Sequence, residues 1–296
     1  MMTISTLSIL IPTYNDLCVK LVGNLRQQAE DTGITYEILV ADDGSTDKSV
    51  IQENRQINQF PNCRYIERPH NSGRASIRNF LANEARYEWL LYIDSDMSVM
   101  RGDYIIKYVS HVESDVVDGG VSIGGDADAL KTNLRYVYEK SAENEHTVEM
   151  RRNNPYKDFH TANFLIRRTV MLGNPFDERF RYYGYEDVLF GKVLKQKRIA
   201  IAHIDNPLEF NKYEDNPLFI SKTEEGLRTL HQFSDELKGY SRLLTFIEGV
   251  HIPFVLSIIR YSHKLFGGII RKRLCGAHPD IRLFSLYRLG YYLTLK

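Results

Sequence analysis

Along its first hundred residues the chain alternates short apolar runs with segments in which apolar residues recur every three or four positions. Leu7-Ser8-Ile9-Leu10-Ile11 reads as a buried strand stopped by Pro12, and Leu17, Leu21, Val22, Leu25 and Ala29 then fall at helical spacing. A second strand at 36–41 ends in Asp42-Asp43-Gly44-Ser45-Thr46-Asp47, where Ser45 or Thr46 is placed to cap the following helix and Asp47 to sit in its first turn. A short third strand at 64–67 leads to His70-Asn71-Ser72-Gly73-Arg74 and a helix through Ile77, Phe80, Leu81 and Ala85. Trp89-Leu90-Leu91-Tyr92-Ile93 is a fourth strand that runs into Asp94-Ser95-Asp96. Strand–helix repeated three times and closed by a fourth strand is the βαβ pattern of a parallel sheet covered on both faces. The predicted fold class is therefore α/β, a Rossmann-like, mostly parallel sheet with helices on both sides.

After Asp96 the pattern loosens. The spacing predicts a helix at 104–112 and a fifth strand at 115–121. Residues 124–160 are charged, irregular and partly helical, and read as an insertion that shapes a binding cleft. A strand at 161–166, a helix marked by Val188, Leu189, Val193 and Leu194, and a strand at 199–204 follow. From Ser221 the chain is helical. Leu227, Leu230, Phe233 and Leu237 fit one amphipathic helix; Ile252, Val255, Leu256, Ile259 and Phe266 fit another. The expected organisation is one domain over 1–220, in halves 1–97 and 98–220, with a C-terminal helical region at 221–296.

A chain of 296 residues with 43% hydrophobic and 26% charged positions has enough apolar sequence for a sizeable core. Cys18, Cys63 and Cys275 lie far apart, with neither metal-ligand nor disulfide spacing, which points to a reducing compartment. The segment before Leu7 has no basic region, and the run 7–12 is too short for a signal-peptide core, so a cytoplasmic location is expected. Charge changes the picture more. With 38 Lys+Arg against 38 Asp+Glu the whole is neutral, yet residues 251–296 hold eight Lys/Arg and one acid, Asp280. The tail is thus net +7 and the body net −7. That asymmetry predicts an anionic partner for 251–296, a membrane surface at the inner face of the cell membrane ahead of nucleic acid. No aromatic ladder accompanies Arg271-Lys272-Arg273, so nucleic acid is not expected. The longest near-continuous apolar run, 252–259, is far short of the ~20 residues of a spanning helix, so the tail is expected to lie on a membrane.

In a parallel sheet the strand-end loops converge on one edge, where ligands bind. Asp94 and Asp96 offer hard oxygen ligands of the kind that suit Mg²⁺ or Mn²⁺ and leave coordination places for phosphate. Asp42 and Asp43 can accept hydrogen bonds from a base or ribose, or serve a capping turn. Asn71-Ser72-Gly73-Arg74, with Arg78 one turn on, offers helix-start amides and two guanidinium groups suited to a diphosphate. Glu186-Asp187 opens a helix after an aromatic-glycine loop, and an ionised carboxylate there can act as a general base toward a hydroxyl.

Taken together, Ile11-Pro12-Thr13-Tyr14-Asn15, Asp42 to Asp47, Asn71-Ser72-Gly73-Arg74-Ala75 with Arg78-Asn79, and Asp94-Ser95-Asp96 resemble the family 2 glycosyltransferases of the GT-A fold, in order and spacing. Gly184-Tyr185-Glu186-Asp187 and the strand Asn163 to Arg168 extend the resemblance to about residue 210. It implies an inverting transferase of bacterial cell-surface glycan type, moving a sugar from a nucleotide-diphosphate sugar, a UDP-sugar foremost, to a glycan or lipid-linked acceptor. It further implies that Pro12, Thr13, Tyr14, Asn15 and Asp43, with Asp42, hold the nucleoside and that Asn71, Gly73, Arg74 and Arg78 lie near the diphosphate. Asp94, with Ser95, would meet ribose or metal, Asp96 the Mn²⁺ or Mg²⁺, and Asp187 or Glu186 would be the base. The halves 1–97 and 98–220 become donor- and acceptor-binding. One departure stands out. The family often places a metal-binding His after the last core strand, and Asn206-Pro207-Leu208-Glu209-Phe210-Asn211 has none. Either His203 or Glu209 substitutes, or Asp96 binds metal with diphosphate and water alone. Two other readings are a nucleotidyltransferase, which usually has a Gly-rich basic loop after its first strand where this chain has Pro12 to Asn15, and a non-catalytic nucleotide-sugar-binding scaffold.

Overall fold

The computed structural model describes residues 3–110, 112–250 and 253–295. Ile252, expected in the last amphipathic helix, lies outside the described residues, as do the chain's terminal positions Met1, Met2 and Lys296. The strands are β1 (Thr6–Thr13), β2 (Thr35–Asp42), β3 (Cys63–Glu67), β4 (Trp89–Ile93), β5 (Met97–Ser98), β6 (Val116–Asp118), β7 (Val121–Ile123), β8 (Asn163–Arg167), β9 (Ile201–His203) and β10 (Leu208–Phe210). The helices of the sheet-bearing part are α1 (Val19–Thr32), α2 (Lys48–Asn54), α3 (Arg74–Glu84), α4 (Tyr104–Ser110), α5 (Ala127–Leu130), α6 (Leu134–Ala142), α7 (Val148–Asn153), α8 (Arg168–Gly173) and α9 (Glu186–Gln196). The C-terminal ones are α10 (Asn216–Gln232), α11 (Ser234–Leu237), α12 (Arg242–Gly249), α13 (Pro253–Leu274) and α14 (Ile281–Thr294).

Seven strands form one sheet in the order β3-β2-β1-β4-β8-β6-β9. All neighbouring pairs are parallel except those of β8, which runs antiparallel to both β4 and β6. The first four strands match the expected βαβ run. Strand alternation explains the two-sided core: Leu7, Ile9, Ile11, Ile38, Val40 and Leu91 pack with α1 and α4, while Leu10, Leu39, Leu90 and Tyr92 pack with α3 and α9. The chain leaves β1 toward β2 and β3, then returns to place β4 on the other side of β1. That reversal opens a crevice beyond the carboxyl ends of β1 and β4.

Several local expectations are corrected. Asp47, rather than Ser45 or Thr46, caps α2, its carboxylate accepting from the Ser49 and Val50 amides. The single strand expected at 115–121 is two: Gly120 takes φ +84°, and β7 joins β10 and β5 in a separate three-stranded sheet. The amphipathic helix expected through Leu237 is broken at Phe233, where α10 ends and the short α11 follows. Leu227, Leu230, Phe233 and Leu237 still share one core with Phe180 and Leu244. The C-terminal α13–α14 pair packs back on α10 and α6, burying Leu274, Phe284 and Tyr287 against Leu134, Phe219 and Ile220.

Where the two sheets meet, Asn163 holds four buried groups at once. Its carbonyl accepts from the Tyr104 and Tyr108 hydroxyls at 2.6 and 2.8 Å, and its amide donates to the Gly120 and Asn206 carbonyls at 2.7 and 2.9 Å. Orphaned buried polar groups cost ~1–3 kcal/mol each, so Asn163→Ala is expected to destabilise the protein by roughly 3 kcal/mol in urea unfolding. A loss below about 1 kcal/mol would show that the junction does not depend on this side chain.

Candidate active site

The strand ends that converge at the crevice bring most of the predicted residues together. A cavity of about 720 Å³ is lined by Pro12, Thr13, Tyr14, Asp43, Asn71, Gly73, Arg74, Arg78, Asp94, Ser95 and Asp96. A second cavity of about 440 Å³ is lined by Glu186 and Asp187 and shares Arg74, Arg78, Asp94, Asp96, Arg135 and Tyr183 with the first. The two are lobes of one cleft that meet over the Asp94–Asp96 pair.

At the centre is Arg78, fully buried on α3. It donates to Asp94 at 2.8 Å and to Glu186 at 3.3 Å, and its backbone carbonyl accepts from the Tyr92 hydroxyl at 2.8 Å. Burial works against the charge of Arg78, but Asp94 and Glu186 more than offset it and keep it cationic. Arg74 stands 3.9 Å from Glu186, with its guanidinium over the Tyr183 ring. Gly73, which precedes α3, has φ +94°, and a Cβ there would come within 2.8 Å of the Arg181 carbonyl. Only glycine lets the loop turn into α3 this close to the Arg181–Tyr185 segment.

The two acids that open α9 differ in availability. Glu186 is buried and committed to Arg78. Burial lifts its pKa, Arg74 pulls it down and Asp187 adds to the rise, with a net shift upward. Asp187 is only partly covered, accepts from the Val188 amide at 2.7 Å, and faces the second lobe. Asp96 shows the same contrast with Asp94. Asp94 is held by Arg78, whereas Asp96 draws no hydrogen bond from the described residues. Burial, then the Asp94 carboxylate, push Asp96 above the usual carboxylate range, with Arg74 and Arg135 pulling the other way. A carboxyl pushed upward in this way, as Asp96 is, is one whose ionised form a divalent cation stabilises, and carboxylate oxygens are the donors Mn²⁺ or Mg²⁺ prefers. Among the described residues, no three His, Cys, Asp or Glu side chains converge to hold a metal by themselves. The residues present therefore fit a cation that takes its remaining ligands from a bound phosphate and water.

Four residues considered for the site do not line the cleft. Asn15, at φ +52°, ties the first two strand-end loops together: its backbone amide donates to the Ser45 hydroxyl and its side-chain Oδ1 accepts from the Thr46 and Asp47 amides. Asp42 is buried and accepts from the Ser45 amide and the Tyr65 hydroxyl. His203, a candidate metal ligand, is a core residue. Its Nε2 lies 3.0 Å from the Pro155 carbonyl, and its Nδ1 lies 3.2 Å from both Arg151 and Asp118, so both nitrogens are engaged away from the cleft. Glu209 lies beside Gly124 and accepts from Asn211, also outside the cleft lining. Asp43 does line the cleft, but its carboxylate is spent on the loop before α3, accepting from the Ser72 and Gly73 amides at 2.9 Å and from Arg68 at 2.8 Å.

The cleft also contains residues that periodicity did not reveal. Asp16 accepts from Lys212 at 2.7 Å, and Lys212 also reaches the Ser95 carbonyl at 3.5 Å. Arg135, from α6, pairs with Glu214 and lies over the Phe210 ring. Arg181 and Lys222 complete a cationic lining. Asp16 adjoined the polar loop after β1 and could have been found there; Arg135, Arg181, Lys212 and Lys222 come from segments with no distinguishing pattern.

Comparison with known proteins gives this geometry a context. The family model described as Glycosyl transferase family 2 matches residues 8–172, more than half of the chain. Chondroitin synthase of Escherichia coli is 24% identical over 245 residues, 71% of this chain and 35% of that protein. A poly(ribitol-phosphate) beta-glucosyltransferase of Bacillus spizizenii is 38% identical over 96 residues, 30% of this chain and 14% of that protein. The chain thus spans about a third or less of the length of these relatives. Among solved structures, the mannosyltransferase PcManGT from Pyrobaculum calidifontis, in complex with GDP-Man and Mn²⁺, superposes with a TM-score of 0.57 over 97% of this chain and 84% of its own, at 14% identity. TarS 1-349 from S. aureus, in complex with UDP-GlcNAc, does so with a TM-score of 0.51 over 98% and 90%, at 17% identity. These likenesses establish the GT-A fold.

Two measurements follow from the buried charges. Arg78→Leu removes the hydrogen-bonding cation of Asp94 and Glu186, leaving Arg74 at 3.9 Å as the cation beside Glu186, and is expected to cost about 3–5 kcal/mol in chemical unfolding. Asp96→Asn is expected to raise the Tm of the metal-free, nucleotide-free protein at neutral pH. A carboxyl whose pKa rises on folding favours the folded state more as pH falls, so the wild type gains on the variant and the gap closes in acid. A variant that melts below the wild type at pH 7.5 would contradict this account of Asp96.

Proposed function

The chain belongs to glycosyl transferase family 2 and is a glycosyltransferase, and from that premise we propose that it transfers a sugar, with inversion, from a nucleotide-diphosphate sugar to an acceptor hydroxyl. The donor is a UDP-sugar foremost, held by residues 1–97 in the first lobe, with Pro12, Thr13 and Tyr14 beside the nucleoside. Asn71, Gly73, Arg74, Asp94 and Ser95 line the path of the ribose and diphosphate. The acceptor is a hydroxyl of a glycan or lipid-linked saccharide in cell-surface polysaccharide synthesis, taken up by residues 98–220 on the cytoplasmic side.

The observation that carries this reading is Asp187, a partly covered carboxylate at the start of α9, in the lobe that Asp96 also lines. Asp187 takes the acceptor's proton as its oxygen attacks the anomeric carbon opposite the leaving group. The bond from that carbon to the diphosphate breaks, and its electron pair departs with the nucleotide. Arg74, Arg135 and Lys212 are placed to meet the negative charge that develops. Mn²⁺ or Mg²⁺ held by Asp96 with Asp94 would supply Lewis-acid stabilisation of the same charge. Glu186 acts through Arg78 as a positioning residue.

The test is a screen of UDP-, GDP- and dTDP-sugars with Mn²⁺ and membrane extract as acceptor source, reading released nucleotide. Asp187→Asn is expected to lower kcat by ~10²–10⁴-fold with donor KM nearly unchanged, as for loss of a general base. Asp96→Ala is expected to abolish turnover. Nucleotide-sugar binding without release from any donor would favour the non-catalytic scaffold.

A further inference from the structure

The C-terminal hairpin is seated by one side only. On α13 the inward row runs through Leu256, Ile259, His263, Gly267, Ile270 and Leu274. His263 lies against the Tyr287 ring at 5.0 Å, and Ile270 and Leu274 join the core with Phe284. Directly opposite, Phe254, Ile258, Tyr261, Leu265 and Ile269 fall four, three, four and four residues apart, which places them on one stripe. Each is between 48% and 71% exposed. At the helical rise of ~1.5 Å per residue the stripe is roughly 22 Å long. Phe246 on α12 and Leu286 on α14 are also exposed. A contiguous apolar row of this size marks an interaction surface rather than scattered surface apolarity.

Charge identifies the occupant. α13 contains no acidic residue, and Arg260, Lys264, Lys272 and Arg273 are all exposed around or beyond the stripe. Arg271 is turned inward, donating to Glu224 at 2.7 Å. A second copy of this face would oppose like charges. A bilayer with anionic headgroups offers apolar depth for the stripe and negative charge for its basic border. No helix among the described residues is long and apolar enough to cross a membrane. We infer that the outer face of α13 is a membrane-docking surface that lies flat on an anionic bilayer, inserting Phe254, Ile258, Tyr261, Leu265 and Ile269. The same hairpin walls the second lobe of the cleft: Arg288 of α14 donates to the Tyr138 hydroxyl at 2.9 Å and lines that lobe with Asp187. Docking would therefore hold the lobe close to a lipid-linked acceptor. That consequence rests on the transferase reading, whereas the docking itself does not.

The experiment is flotation of the full chain with vesicles of phosphatidylcholine alone, or of phosphatidylcholine with about one-third phosphatidylglycerol. Polybasic attraction predicts roughly tenfold or greater preference for the anionic vesicles, weakening as salt is raised. The triple variant Tyr261→Ser, Leu265→Ser, Ile269→Ser is expected to stay in the bottom fraction while melting like the wild type. Lys264→Glu with Lys272→Glu provides a second test, expected to remove the anionic preference. Equal flotation with both vesicle types, or unchanged flotation of either variant, would overturn the proposal. So would a dimer in sedimentation analysis that the triple variant dissolves, which would assign the stripe to a second copy. Flotation is read without turnover, so its outcome is separate from that of the donor screen.

Discussion

Arg78 is the charge on which the site depends. It is a buried cation brought by α3 to the end of β4, where it meets Asp94, and it reaches across 108 residues of sequence to Glu186 at the start of α9. Glu186 could not be buried this deeply without a cation beside it, and Arg78 could not be buried without its two acids. The bridge fixes the distance between the end of β4 and the start of α9. It also divides the acidic residues. Asp94 and Glu186 are engaged by the guanidinium, while Asp96, where the two lobes meet, and Asp187, in the second lobe, remain available.

The strand-end loops show a similar division of labour. Loops that converge at a sheet edge carry many backbone N–H groups without ladder partners, and each needs an acceptor. Asn15, Asp42 and Asp43 supply those acceptors, so polar side chains in ligand-like positions are used to build the loops themselves. Pro12, Thr13, Tyr14 and Asn71 are left on the wall of the cleft. The metal question has the same character. His203, a possible substitute for the metal-binding His that the resemblance implies, is instead hydrogen-bonded among Arg151, Asp118 and Pro155. Lys212 instead stands beside the cleft, next to Asp16 and the Ser95 carbonyl.

The C-terminal region joins the two ideas. Its positive charge was legible as a sum, but the residues that make the sum have different directions. Arg271 and Arg288 turn inward, one to Glu224 and one to Tyr138 in the second lobe, while Arg260, Lys264, Lys272 and Arg273 remain outside. The helices are therefore part of the cleft wall on one side and an open apolar face on the other.

The sequence by itself determined the elements whose signals are local: four strands and their helices, the Asp-x-Asp at the end of β4, the Arg pair of α3 and the acids opening α9. These depend on spacing along the chain, because periodicity and turn chemistry act over a few residues. Tertiary structure decided what spacing cannot express. It placed β8 antiparallel, split the strand expected at 115–121 between two sheets, and chose Asp187 over Glu186 as the accessible acid by burying Arg78 between Glu186 and Asp94. It recruited Arg135, Lys212 and Arg288 from far along the chain and withdrew Asn15, Asp42 and His203 from the cleft. Whether a polar side chain serves a ligand or its own fold depends on which backbone groups and charges packing brings within hydrogen-bond reach, and those neighbours are set by the three-dimensional fold.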